Sequence, residues 1–170
     1  MDIIEVLLEG HAALRGEFAA LTAPFERPHG VGWDDRVALD KKRLLRDIRG
    51  FFAAFKTHET VEDEFLAEVL RLVELNEELR AASAAGHRSM GEMMKLFGAV
   101  ACSCDGRHVY PLRAVLFRLG EELETHLTYE EKILFPMLRE RLPVGLLREL
   151  GRRAQEGSQK TSLRAVEGRA

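Results

Sequence analysis

The sequence predicts an all-α fold, an antiparallel up-down-up-down bundle of four helices followed by a short C-terminal helix and a polar tail. Four long segments repeat apolar residues with a period of about 3.6, and no segment alternates with the period of two that a half-buried strand shows. The chain has 170 residues, about the length of one domain. We therefore expect residues 1–150 to form the bundle and residues 151–170 to form the tail.

Composition and charge exclude several classes of partner. The chain is 46% hydrophobic and 31% charged, as in ordinary globular proteins, and its 25 basic and 28 acidic residues give a net charge of -3. That balance offers no basic surface for a nucleic acid or an anionic membrane. No segment approaches the roughly 18 apolar residues of a membrane span, and the first residues lack the pattern of a signal peptide. We therefore expect a cytoplasmic protein that binds neither nucleic acid nor membrane.

The first helix is predicted over about residues 2–22. Its apolar stripe contains His11 at a position where the period requires a core residue. Between Pro24 and Asp35, prolines and glycines are frequent enough to stop a helix. This segment is therefore predicted to be a loop that ends in an aspartate N-cap.

The second and third helices also carry polar residues on their apolar faces. The second is predicted over about residues 35–72, and His58 and Glu62 interrupt its stripe. The third follows a break near Asn76, carries His87 on its stripe and ends before a turn at residues 105–106. Each of these helices is therefore expected to bring a polar group into the core.

The fourth helix is predicted over about residues 108–140, with His126 and Glu130 on its apolar stripe. Pro136 should bend its last turn, because proline lacks the backbone N–H that a helix interior requires. Beyond Pro143 we expect a short amphipathic helix to about Leu150, and then a polar tail that packs weakly.

Six polar residues on apolar stripes form one constellation. Each glutamate follows a histidine by four residues, so each such pair lies on one helix face. In a bundle these residues point inward, where charges are strongly disfavoured unless they are paired or bound to a metal. Counted along the helices, the six residues fall in one layer about 15 Å from one end of the bundle. The probability that four histidines all lie on inward-facing stripes by chance is roughly 3%. The candidate metal ligands are His11, His58, Glu62, His87, His126 and Glu130.

The donor types restrict the kind of metal centre. Imidazole and carboxylate ligands without a thiolate suit iron, manganese or zinc. Two glutamates between two pairs of histidines suit two metals, since each carboxylate can bridge. The order His-x-x-x-Glu differs from the Glu-x-x-His of ferritin-type bundles, so we do not predict a site of that type. Glu59 and Glu131 are expected on solvated faces, with a role beside the ligands as the alternative.

Four motifs carry a resemblance to a known family. They are His11, the string HETVE at residues 58–62, His87, and the string HLTYEEKILFP at residues 126–136, which is the most specific. Over about residues 1–140 the sequence resembles the hemerythrin-like family, the HHE cation-binding domains. The resemblance implies a non-haem centre of two iron ions, with an oxo or hydroxo bridge, in an antiparallel four-helix bundle. It also implies that Glu62 and Glu130 bridge the ions and that the four histidines are terminal ligands.

One feature departs from the oxygen-carrying members of that family. Those proteins have five histidine ligands, two of them four residues apart on the third helix. Here the residues four positions from His87 are Ser83 and Gly91, and neither ligates iron well. We therefore expect one metal with an open position, and a closer likeness to relatives that sense iron or oxygen or turn over peroxide.

Three functions follow from this reading. The leading hypothesis is a protein that binds O2, NO or peroxide at the open iron position, in sensing, storage or detoxification. The alternatives are a di-iron peroxidase or catalase-like enzyme, and an iron-responsive interaction module whose bundle forms only with metal. The expected partner is a small diatomic ligand or peroxide, and a homo-oligomer is neither excluded nor predicted.

Overall fold

A computed structural model describes residues 1–26, 41–69, 77–103 and 109–167, which are helical almost throughout. The helices are α1 (Ile3–Glu26), α2 (Lys41–Val69), α3 (Glu77–Ser103), α4 (Val109–Tyr129), α5 (Phe135–Arg141) and α6 (Val144–Glu167). A π-helical turn, Glu130–Leu134, joins α4 to α5. The described residues contain no β-strand, which confirms the all-α class. The breaks predicted near Asn76 and residues 105–106, and most of the predicted loop before Asp35, lie outside the described residues.

Helices α1, α2, α3, α4 and α6 pack together. Helix α1 contacts α2, α4 and α6, and α3 contacts both α2 and α4. No helix among the described residues is long and apolar enough to cross a bilayer. The packing buries two separate apolar clusters. The large cluster consists of Leu14, Leu21, Phe25, Leu44, Ile48, Phe51, Phe55, Met90, Phe97, Ala101, Leu112, Leu116, Leu119, Leu123 and Leu127. The small cluster consists of Ile3, Ile4, Leu7, Phe65, Val69, Leu134, Phe135, Leu138, Leu142, Leu147 and Leu150.

A polar layer separates the two clusters. On α1, the buried His11 lies between Leu7 of the small cluster and Leu14 of the large cluster. Along α2, and along α4 with the π-helical turn and α5 that follow it, the order is the large cluster, then the buried carboxylate of Glu62 or Glu130, then the small cluster. Taking ionisable groups out of water costs several kcal/mol each, so the contacts inside this layer must compensate.

Helix α1 extends further than the sequence predicts. It continues past Thr22 through Pro24 to Glu26, where a loop was expected. The side chain of Phe25 is buried in the large cluster. Burial of a phenylalanine stabilises by about 1.5–3 kcal/mol, which holds this last turn although Pro24 cannot donate a backbone hydrogen bond.

The C-terminal helix is also longer than predicted. Helix α6 has 24 residues and runs through most of the segment expected to be a polar tail. Gly151 is buried, and a Cβ there would lie 2.7 Å from the carbonyl oxygen of Met1, so α6 passes close to the start of the chain. Arg153 pairs with Glu68 of α2 at 2.7 Å. Close backbone approach and ion pairs therefore hold this part of α6. Neither contact gives the sequence an apolar stripe, so the helical period did not predict this part of the helix.

We expect buried and exposed leucines to differ sharply in their effect on stability. Leu119 of α4 is fully buried in the large cluster, whereas Leu96 of α3 is 48% exposed. Leu119→Ala should lower the free energy of unfolding by about 2–5 kcal/mol, because it leaves a cavity. Leu96→Ala should change it by less than about 0.5 kcal/mol. Urea denaturation of the metal-free protein measures both, and equal effects would contradict the core assignment.

Candidate metal centre

The structure brings all six predicted ligands together. They come from α1, α2, α3, α4 and the π-helical turn, and they form two groups that share one glutamate. Within each group the candidate ligand atoms all lie within 4.8 Å of one another. The first group is His11, His58 and Glu62, and the second is Glu62, His87, His126 and Glu130. These groups occupy the polar layer between the two apolar clusters.

The first position lies between α1 and α2. The Nε2 atom of His11 is 3.6 Å from Oε1 of Glu62 and 3.3 Å from Oε2 of Glu130. The Nε2 atom of His58 is 3.5 Å from the same oxygen of Glu62. Two imidazole nitrogens and one oxygen of Glu62 therefore form this position, and Glu130 approaches it at His11.

The second position has one more ligand residue, because both Glu62 and Glu130 belong to its group. The Nε2 atom of His87 is 3.3 Å from Oε2 of Glu62 and 4.0 Å from Oε1 of Glu130. The Nε2 atom of His126 is 3.5 Å from that same oxygen of Glu130. Each glutamate thus presents one oxygen to the first position and the other oxygen to the second.

These distances suit ligands of a shared ion better than hydrogen bonds. Most of the N···O distances are 3.3–3.6 Å, longer than the usual range for N–H···O bonds of about 2.7–3.2 Å. Two ligand atoms about 2.1 Å from one ion lie about 3.0–3.4 Å apart. Among the described residues, the buried polar atoms without a hydrogen-bond partner are Nε2 of His11, His58 and His126, Oε1 of Glu62 and both carboxylate oxygens of Glu130.

Burial and neighbouring charges shift the pKa values in this layer. Burial raises the pKa of Glu130 to about 8, with the nearby Glu62 adding to the effect, and it lowers the pKa of His126 to about 4. Burial also opposes the charged form of His11, but the carboxylates around it outweigh that effect and raise its pKa to about 9. Burial would raise the pKa of Glu62, yet the surrounding imidazoles hold it well below its usual range. Protons and metal ions therefore compete for the same atoms.

Glu131 supports the first position instead of lying on a solvated face. Its Oε1 is 2.9 Å from Nδ1 of His11, and it also accepts a hydrogen bond of 2.6 Å from Arg15. Arg15 donates a second hydrogen bond to Glu124, and the ring of Phe135 stacks on His11 at 5.4 Å. A hydrogen bond at Nδ1 fixes the ring and leaves the lone pair of Nε2 for a metal.

Acidic side chains also surround the outer nitrogen of His87. Its Nδ1 is 3.4 Å from Asp63 and 3.8 Å from Glu59. Glu59 is only 6% exposed and accepts a hydrogen bond from Lys56, so the expectation of a solvated face was wrong for this residue too. An acid directly follows both Glu62 and Glu130, and this repeat is a sequence signal that could have indicated the contacts of Asp63 and Glu131.

The π-helical turn after α4 carries the candidate ligand Glu130. The backbone N–H of Phe135 bonds to the carbonyl of Glu130, five residues earlier, which widens the helix at a ligand. Glu130 and Glu131 both contact His11, one at each ring nitrogen. The irregularity expected at Pro136 is thus found before it, and Pro136 lies in the first turn of α5, where its missing N–H is tolerated.

Comparison of the chain with protein-family models, curated proteins and solved structures found no match. The described residues establish a buried cluster of four imidazoles and two carboxylates that could hold a metal ion. Its donor atoms are nitrogen and oxygen, a set that suits iron, manganese or zinc.

Glu131 should contribute to metal affinity without being a ligand. Glu131→Ala is expected to weaken binding at the first position by about 10- to 100-fold, because His11 loses the acceptor that orients it. Glu131→Gln keeps an acceptor oxygen and should lose less. Glu124→Ala is the matched control, since Glu124 pairs with Arg15 but is not within bonding distance of His11. Chelator competition measures the affinity, and equal losses for Glu131→Ala and Glu124→Ala would contradict the role.

Proposed function

We propose that this chain is a hemerythrin-like protein that holds two iron ions in an antiparallel four-helix bundle. In this proposal it binds a small diatomic ligand or peroxide, in sensing, storage or detoxification. The observation that carries the proposal is the placement of the two carboxylates between two pairs of histidines, with one oxygen directed toward each pair. A single ion would leave half of these donors unused.

The order of the apolar clusters supports the antiparallel bundle. Along α1 the chain passes from the small cluster to the large one, whereas along α2 and α4 it passes from the large to the small. On α3 the residues after His87 belong to the large cluster, the same sense as on α1. Helices α1 and α3 each contact both α2 and α4, the adjacency that a four-helix bundle requires.

The donor set supports iron. Two histidines with carboxylate oxygens are a donor set typical of non-haem iron, and the cluster contains no thiolate of the kind common in structural zinc sites. Bound iron would supply redox chemistry and vacant coordination positions for a small ligand. The chain would supply the rest: Glu62 and Glu130 would offer carboxylate oxygens to the two ions, and the four histidines would offer two ring nitrogens to each. The first group has three ligand residues and the second has four, so the first position has fewer ligands from the protein.

An apolar cleft supports a small diatomic ligand over peroxide. The cleft lies between α1 and α2 and has a volume of about 320 Å³. Its lining includes His58 of the first position, and the other lining residues are Val6, Leu7, Gly10, Ala13, Leu14, Glu17, Ala54, Thr57 and Val61. O2 and NO partition readily into such surroundings, whereas peroxide loses hydrogen bonds to water. We infer that a small ligand would approach the first position along this cleft.

Removing either bridging carboxylate should remove metal. Glu62→Ala and Glu130→Ala are each expected to lose at least one of two irons per chain, because both positions lose a donor. Glu121→Ala, an exposed glutamate of α4, is the control and should keep both irons. Elemental analysis of protein loaded anaerobically with ferrous iron measures the content. Two irons per chain in Glu62→Ala would contradict the bridging role.

Reaction with air and peroxide distinguishes the proposed binding protein from the enzyme alternative. Reduced iron-loaded protein should develop a visible absorption band with O2 or NO that reverses when the ligand is removed. Oxygen electrode and peroxide assays then test for turnover. Peroxide consumption over many cycles, in proportion to bound iron, would favour a peroxidase or catalase-like enzyme and contradict the binding function.

A further inference from the structure

Gly10 of α1 lies against a candidate ligand of the neighbouring helix. A Cβ at this position would lie 2.5 Å from Nδ1 and 2.8 Å from Cε1 of His58. Ordinary contacts of a Cβ are 3.4 Å or longer, so one of the two groups would have to move by about 0.9 Å. The backbone of α1 can therefore approach His58 this closely only with glycine at residue 10.

Gly86 of α3 has the same relation to the other helix pair. A Cβ at Gly86 would lie 2.6 Å from Nδ1 and 3.4 Å from Cε1 of His126. Each glycine directly precedes a candidate ligand, His11 or His87, and each contacts the histidine that begins a His-x-x-x-Glu pair on the next helix. The two halves of the polar layer are thus built on one pattern.

Other glycines in these helices do not share this environment. A Cβ at Gly16 of α1, or at Gly91 of α3, would meet nothing within 4 Å. Glycine has a low propensity for a helix interior, so the two that contact histidines weaken their helices unless the close approach compensates. The rings they contact are 9% and 3% exposed, and the Nε2 atom of each is buried without a hydrogen-bond partner among the described residues.

We propose that Gly10 and Gly86 are positioning residues for the two metal positions. The missing side chains let α1 approach α2, and α3 approach α4, so that the rings of His58 and His126 direct Nε2 toward the carboxylates. A metal ligand tolerates displacements of only about 0.5 Å, less than a Cβ at Gly10 would require. The consequence for metal binding rests on the proposed function, whereas the steric contact itself does not.

The first test is the metal content of alanine variants. Gly10→Ala should weaken binding at the first position at least tenfold and leave close to one iron per chain, and Gly86→Ala should do the same at the second. Gly16→Ala and Gly91→Ala are matched controls in the same two helices and should keep two irons. Wild-type affinity and stoichiometry in both Gly10→Ala and Gly86→Ala would overturn the proposal.

A double-mutant cycle on metal-free protein tests the contact independently of any metal. Gly10→Ala should lower the melting temperature in the wild-type background, and it should leave the temperature unchanged or raise it in the His58→Ala background. The same holds for Gly86→Ala with His126→Ala. Equal losses in both backgrounds would overturn the steric role. A wild-type chain that binds no metal would overturn the proposed function. The melting temperatures of the double-mutant cycle would then still test whether each glycine makes room for the neighbouring histidine.

Discussion

The structure depends on the burial of two carboxylates among four imidazoles. Glu62 and Glu130 are 2% and 0% exposed, in a layer that interrupts an otherwise apolar core. An unpaired buried charge costs several kcal/mol, so this layer is stable only if the imidazoles, protons or metal ions balance the carboxylates. A shift of α1 by one turn would move His11 into an apolar cluster and bring Leu7 or Leu14 into the layer, which would break that balance. The polar layer therefore fixes the register of the helices at some cost in stability.

The two halves of the layer share one pattern but differ in rigidity. An acid after each central glutamate faces the outer nitrogen of the histidine on an adjacent helix, Glu131 toward His11 and Asp63 toward His87. Glu131 is held by Arg15 at 2.6 Å, whereas Asp63 is 61% exposed and lies 3.4 Å from its histidine. The first position thus has a fixed histidine, and the second has a more loosely oriented one. The two positions therefore differ in how their histidines are held as well as in the number of ligand residues.

The helical period was sufficient to predict the class of fold and the convergence of six residues, because a histidine such as His11 stands out on an apolar stripe. The helical period was not sufficient to predict the residues that contact these six from outside, such as Glu131 and Gly10. On a regular α-helix Glu131 points about 100° away from Glu130, so the period does not predict that both contact His11 from the π turn. Gly10 was missed because a glycine carries no periodic signal, and its role depends on the distance between two helices. Helix α6 was underestimated because ion pairs hold it.

The surroundings of the first position bear on the choice between the proposed ligand binding and the alternative of peroxide turnover. Peroxide cleavage requires a group that can release and recover a proton beside the reacting oxygens. On this side, the hydrogen bond from Arg15 engages Glu131, which in turn contacts His11, and the cleft that reaches His58 is lined mainly by aliphatic side chains. With iron bound as proposed, these surroundings would give a small ligand an apolar approach and would offer few groups for proton transfer. They are therefore an argument for the proposed reversible binding of a diatomic ligand over repeated cleavage of peroxide.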